Sequence, residues 1–242
     1  MNAVSRRLAA EFLGSGLLVA VVIGSGIMAT NLTHDMGLEL LINALATVLG
    51  LGVLIWVLGP ISGAHFNPAV TLVAASQREI AVAEAAGYVA CQVLGAVAGA
   101  TLANVMFELP AWSQSTHARQ GSGVWIGEVV ATAGLLFVIG ALTRARHSNL
   151  GPILVPAWIG AAYFFTASTS FANPAVTIGR AFSDTFAGIA PASVPTFIGF
   201  QLVGAVVGAL LTQLFYPRHH TVPEPLDLPA AVHKPVHNPV QK

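Results

Sequence analysis

The sequence predicts an all-α membrane protein with six membrane-spanning helices and two re-entrant half-helices, arranged as an inverted repeat. Three observations carry that prediction. Charged residues make up 8% of the 242-residue chain, against roughly 25% in a soluble domain, too few to cover a water-facing surface. Six apolar stretches are long enough to cross the hydrocarbon core, which takes about 20 residues. Three sequence blocks of the first half recur, in the same order and at similar spacing, in the second half.

The spans fall at about 8–29, 38–58, 81–107, 124–143, 150–169 and 194–216. Helices are the expected form, because an open sheet leaves backbone groups unpaired in lipid. The first span follows Arg6 and Arg7 and superficially resembles a cleaved leader. Its length and its Glu11 argue for a retained helix instead. Two further apolar stretches, 67–75 and 173–182, are too short to cross and are expected to re-enter. The short loops carry Arg6, Arg7, Arg78, Arg144 and Arg146 on one side, but only Arg119 and Arg180 on the other. Basic residues favour the cytoplasm, so both termini are expected there.

The composition also excludes functions. Ten basic residues balance ten acidic ones, leaving no basic field for nucleic acid. A single Cys91 allows no disulfide framework and is expected to be a packed thiol. No Ser/His, paired-Asp or zinc-ligand constellation lies in the spans, so neither an enzyme nor a metal or cofactor site is expected. Residues 1–216 are expected to form one membrane domain, with repeats at about 5–107 and 124–216. Residues 217–242, rich in Pro and His, are expected to be a disordered cytoplasmic tail.

The recurring blocks are Glu11 with FLGSGLLVAVVIG against Glu128 with VVATAGLLFVIGA, HFNPAVTL against FANPAVTI, and QVLGAVAGATL against QLVGAVVGALL. Three spans per repeat is odd, so the second copy must enter from the opposite face. The short segments then approach the midplane from opposite sides. Gly95, Gly99, Gly204 and Gly208 supply small-xxx-small faces for close helix packing.

Each short segment opens on Asn-Pro-Ala: Asn67, Pro68, Ala69 and Asn173, Pro174, Ala175. Asn caps a helix N-terminus by accepting from first-turn N–H groups. Pro suits the next position, and Ala lets two tips pack closely. Two positive helix ends facing one another disfavour cations. Amide donors from Asn67 and Asn173 would occupy the lone pairs of a passing oxygen and so break a proton wire. Neutral hydroxylated molecules are the expected passengers.

SGAHFNPAVT (62–71), the second Asn-Pro-Ala, and the buried Glu11 and Glu128 resemble the aquaporin and aquaglyceroporin (major intrinsic protein) family over about residues 5–216. The resemblance implies a pore in each subunit of a homotetramer in a cell membrane, here a bacterial inner membrane. It implies that Glu11 and Glu128 hold the re-entrant loops. It also implies an outer selectivity filter of Thr47, Ala161, Ser170 and Val176. Family members typically have Arg where Val176 stands. A small, less polar filter argues against strict water selectivity and for glycerol, urea or a metalloid acid. The segment resembles a bacterial subgroup linked to arsenic resistance, which points to arsenite or methylated arsenicals. Arg180, one turn beyond Val176, is expected to pair with Asp184; the alternative is a charge at the pore mouth. His65 is left open between loop packing and a pore role. A water-selective pore and an ion-coupled transporter are the competing readings.

Overall fold

The computed structural model describes residues 2–217. The chain forms eight α-helices there: α1 (Ala3–Leu32), α2 (Met36–Ser62), α3 (Pro68–Ser76), α4 (Val82–Met106), α5 (Ser122–Arg144), α6 (Gly151–Phe165), α7 (Pro174–Arg180) and α8 (Val194–Phe215). Local chemistry sets several of these ends. Asn2 accepts from Ser5 N at 2.8 Å and Asp35 from Leu38 N at 2.9 Å, capping α1 and α2. α2 stops at Gly63, whose φ of 85° is the left-handed conformation glycine adopts without strain.

Among the described residues, five helices are long and apolar enough to span by themselves. The fifth predicted span, 150–169, is shorter than expected. Its α6 has 15 residues, roughly 22 Å at about 1.5 Å per residue, against about 30 Å of hydrocarbon. The reason is local. The Thr166 N–H and hydroxyl both turn back to the Ala162 carbonyl at 3.2 and 2.7 Å. The chain then leaves the helix to reach the start of α7. The tail expectation for 217–242 falls, beyond Pro217, outside the described residues.

Helix contacts show the repeat. α1 packs on α2 and α4, as α5 packs on α6 and α8. Each half-helix also leaves its own repeat: α3 touches α8, and α7 touches α4. Exchanging the two repeats maps one set of contacts onto the other. The repeat is inverted, so α3 and α7 meet tip to tip.

Glycine permits the tightest crossings. A Cβ on Gly99 would lie 2.0 Å from the Gly16 carbonyl oxygen, and one on Gly95 2.2 Å from that of Phe12. In the other repeat, Gly208 and Gly204 stand in the same relation to the carbonyls of Ala133 and Val129, at 2.4 and 2.6 Å. The backbones of α1 and α4, and of α5 and α8, therefore touch with no side chain between them.

Burial is inverted relative to a water-soluble protein. Leu45, Leu49, Val53 and Trp56 on α2 are exposed, whereas Glu11, Gln92, Glu128 and Gln201 are fully buried. Apolar flanks around a polar interior fit a lipid surroundings.

Candidate solute pathway

The segments before the two half-helices are irregular in the same way. Ala64 and Phe66, and at the equivalent places Ser170 and Ala172, have φ between 47° and 54°. Each such residue costs about 1–2 kcal/mol, so something must hold the loops. The two buried glutamates do so. Glu11 accepts from the Ser62 hydroxyl at 2.6 Å, from His65 N at 3.0 Å and from Phe66 N at 2.7 Å. Glu128 accepts from Phe171 N at 2.9 Å and Ala172 N at 3.0 Å. A trans peptide directs its C=O opposite to its N–H. Binding these N–H groups therefore turns the Ala64, His65, Ser170 and Phe171 carbonyls away from the glutamates, toward the central cavity their residues line.

Sequence reasoning missed the partners of those glutamates. Gln92 Nε2 donates to Glu11 at 2.7 Å and to the Thr71 hydroxyl at 2.9 Å. Gln201 Nε2 repeats this on Glu128 at 2.6 Å and Thr177 at 2.8 Å. The available signal was a Gln opening the same block in both apolar helices.

The two Asn side chains cap their half-helices and also tie them together. Asn67 accepts from Ala69 N at 2.9 Å, and Asn173 from Ala175 N at 3.0 Å and Val176 N at 3.2 Å. Asn67 Nδ2 donates to the Ala172 carbonyl at 2.8 Å, and Asn173 Nδ2 donates to the Phe66 carbonyl, also at 2.8 Å. An amide carries two N–H groups, so each Asn keeps one after this cross-tie.

A cavity of about 740 Å³ runs past both Asn residues. At one end it is lined by Gln77, Glu79 and Arg144, near the end of α8. Arg144 Nη1 donates to the Tyr216 carbonyl at 2.6 Å and Nη2 to Gln77 at 3.2 Å. At the far end it is lined by Thr47, Tyr163, Ser170, Val176 and Arg180. The Tyr163 hydroxyl donates to the Thr47 hydroxyl at 3.2 Å.

Two sequence expectations are corrected at this end. Ala161 is exposed on the outer face of α6 and does not line the cavity. Successive residues turn by about 100°, so the inward stripe is Val155, Ile159 and Tyr163, and Ala161 lies nearly opposite Tyr163. The irregular connection 166–172 hides that register from the sequence. Ala161→Leu is therefore expected to leave solute selectivity unchanged, whereas Tyr163→Ala should raise flux of the larger solutes. Comparing glycerol and water permeability of the two variants checks this.

Nor does Arg180 pair with Asp184. Asp184 accepts from the Thr116 N–H at 2.8 Å and hydroxyl at 3.0 Å, across the loop joining α4 to α5. Arg180 turns inward, 3% exposed. Its Nε donates to the Ala187 carbonyl, and its guanidinium carbon sits 3.4 Å from the centre of the Phe171 ring.

His65 and Phe171 occupy equivalent loop positions and differ in character. His65 meets Tyr88 edge-on at 5.3 Å and shares a 3.0 Å hydrogen bond with Thr71. Phe171 meets Phe197 at 5.0 Å. One end of the path is thus lined by an imidazole, the other by a phenyl ring carrying a guanidinium.

Two half-helices meeting tip to tip within a cavity that reaches both ends of a helical inverted repeat define an intramembrane channel. The Major intrinsic protein family matches residues 1–172. Aquaglyceroporin AqpS of Rhizobium meliloti (strain 1021) is 50% identical over 214 residues, covering 88% of this chain and 91% of that protein. Aquaporin-2 of Rattus norvegicus is 33% identical, covering 93% and 84% respectively. The X-ray structure of the aquaglyceroporin from Plasmodium falciparum shares the fold, with a TM-score of 0.61 at 23% identity over 89% of this chain and 96% of that one. The chain belongs to the major intrinsic protein family. It is a multi-pass membrane channel for water and small solutes, not an enzyme.

Proposed function

We propose that the channel passes neutral hydroxylated solutes larger than water, glycerol and arsenite first among them, by passive permeation. One observation carries this reading: Val176 lines the far end of the cavity together with the hydroxyl-bearing residues Thr47, Tyr163 and Ser170. A lining that mixes an aliphatic residue with hydroxyl-bearing ones suits a polyol, or As(OH)3 with its hydroxyls and compact body. The 50% identical relative is itself named an aquaglyceroporin. Tyr163 makes the ring narrower than an alanine there would, so amphipathic character supports the choice of solute more than width does.

That same tyrosine favours the competing reading, a pore restricted to water. Stopped-flow measurements on proteoliposomes with water, glycerol and arsenite decide between them. Passage of all three is expected, and passage of water alone would overturn the proposal. Val176→Arg should lower glycerol and arsenite flux roughly tenfold, equivalent to about 1.4 kcal/mol of barrier, with a smaller effect on water. An unchanged solute profile would remove Val176 from the filter.

Proton rejection at Asn67 and Asn173 is part of the proposal, supported by the free N–H each keeps after its cross-tie. An ion-coupled transporter is disfavoured because Glu11 and Glu128, the fully buried carboxylates, are committed to loop N–H groups. The excess of Arg at the termini's end supports a cytoplasmic location for that face, in a bacterial inner membrane. The family resemblance supports a homotetramer.

A further inference from the structure

The far end of the path carries two guanidinium groups on one aromatic ring. Arg180 lies 3.4 Å from the Phe171 centroid and Arg119 lies 5.0 Å from it. Both are fixed by one short stretch of backbone. Arg180 Nε donates to Ala187, and Arg119 donates to the Gly188 carbonyl at 2.9 Å and the Phe186 carbonyl at 3.3 Å. Among the described residues no carboxylate forms a salt bridge with either of them, and Glu128 acts on both only from a distance. Glu84 pairs with Arg7, Asp184 is engaged by Thr116, and Glu128 is engaged by the loop and Gln201.

Arg180 also has unused donors. A guanidinium has five N–H groups, and only Nε of Arg180 meets a protein acceptor among the described residues. Ser170, 3% exposed, lines the same end of the cavity and has a buried hydroxyl oxygen with no hydrogen-bond partner among the described residues. A cation withdrawn from water without a counter-ion is costly. A planar anion would complement the fork of Arg180 and complete the Ser170 hydrogen bond.

We infer that Arg180 and Ser170, in the field of Arg119, form a binding site for a small monovalent oxoanion or carboxylate, and that its occupancy obstructs the solute path. The inference rests on the reading of this ring as the narrow end of that path. Chloride lacks the planar pair of oxygens and should bind more weakly than nitrate.

Two measurements with nitrate test it. First, nitrate should raise the melting temperature of the detergent-purified protein above that in gluconate at equal ionic strength. That rise should vanish in Arg180→Gln and shrink in Ser170→Ala. Second, nitrate should reduce glycerol flux saturably. The half-effective concentration should increase roughly tenfold in Arg119→Gln, which corresponds to about 1.4 kcal/mol, and the effect should disappear in Arg180→Gln, each variant being compared with its own nitrate-free rate. Arg180→Lys keeps the charge but loses the fork and should recover only part of the response. A native protein insensitive to nitrate in both assays would overturn the site. So would equal responses in the native protein, Arg180→Gln and Ser170→Ala. If glycerol flux is absent altogether, the proposed function fails, and the melting experiment still decides the anion site.

Discussion

Replacing Glu128 by leucine is expected to destabilise the protein by about 3–9 kcal/mol and to abolish solute flux. The substitution strands three donors that Glu128 now accepts from: Phe171 N, Ala172 N and Gln201 Nε2. Each buried donor left without a partner costs about 1–3 kcal/mol. The left-handed conformations at Ser170 and Ala172 would lose the contacts that stabilise them, and Asn173 would lose its position. Glu128→Gln keeps one carbonyl oxygen and presents an amide where the other oxygen stood, so it should fall between the native protein and the leucine variant. Glu11→Leu should behave alike, since Glu11 holds the other loop through His65 N and Phe66 N. Thermal unfolding in detergent, with flux in proteoliposomes, measures both effects. A leucine variant that melts with the native protein and conducts would show that the loops need no carboxylate.

The second large effect is expected at Gly99. Its missing side chain lets α4 lie against the Gly16 carbonyl, and a Cβ there would come within 2.0 Å of that oxygen. The obstacle is backbone, so no rotamer change relieves it. Overpacking a well-filled interface costs about 1–3 kcal/mol, and a helix-to-helix backbone contact lies at or above the top of that range. Gly99→Leu should therefore separate α1 from α4 and displace Glu11 from Gln92 at 2.7 Å. Gly199→Ala serves as the control, because nothing lies within 4 Å of its Cβ position. Equal melting temperatures for the two variants would mean that helix spacing tolerates a side chain at Gly99.

Much of the architecture was legible in the sequence because the repeat was. Glu11 against Glu128, the two Asn-Pro-Ala turns, and the paired glycines of the third and last long helices are short-range patterns that survive without coordinates. What remained hidden depended on irregular backbone. The step from α6 to Asn173 crosses residues 166–172, where no period fixes which face of the helix points inward, and so the family resemblance points to Ala161 where Tyr163 lines the cavity. Helical spacing pairs Arg180 with Asp184, yet α7 ends at Arg180, so no helix carries that spacing onward. Asp184 instead meets Thr116, a contact between loops far apart in sequence. Phe171, which receives both guanidinium groups, looked like one more apolar residue before a cap. Gln92 and Gln201 were visible in the repeated blocks, but their chemistry emerged only when the glutamates were seen to share donors with them.

The cross-tie between the two caps bears on how the protein is made. Asn67 finds its acceptor on Ala172, 105 residues later in the chain. At a synthesis rate of about 5–20 residues per second, that carbonyl leaves the ribosome roughly 5–20 s after the asparagine does. During this interval the first loop waits in the membrane with an amide unsatisfied and with α8, which packs against α3, still to be made. Assembly of the first half is therefore completed by the second, and a nascent chain cut before Ala172 should remain open to proteolysis at its first re-entrant loop.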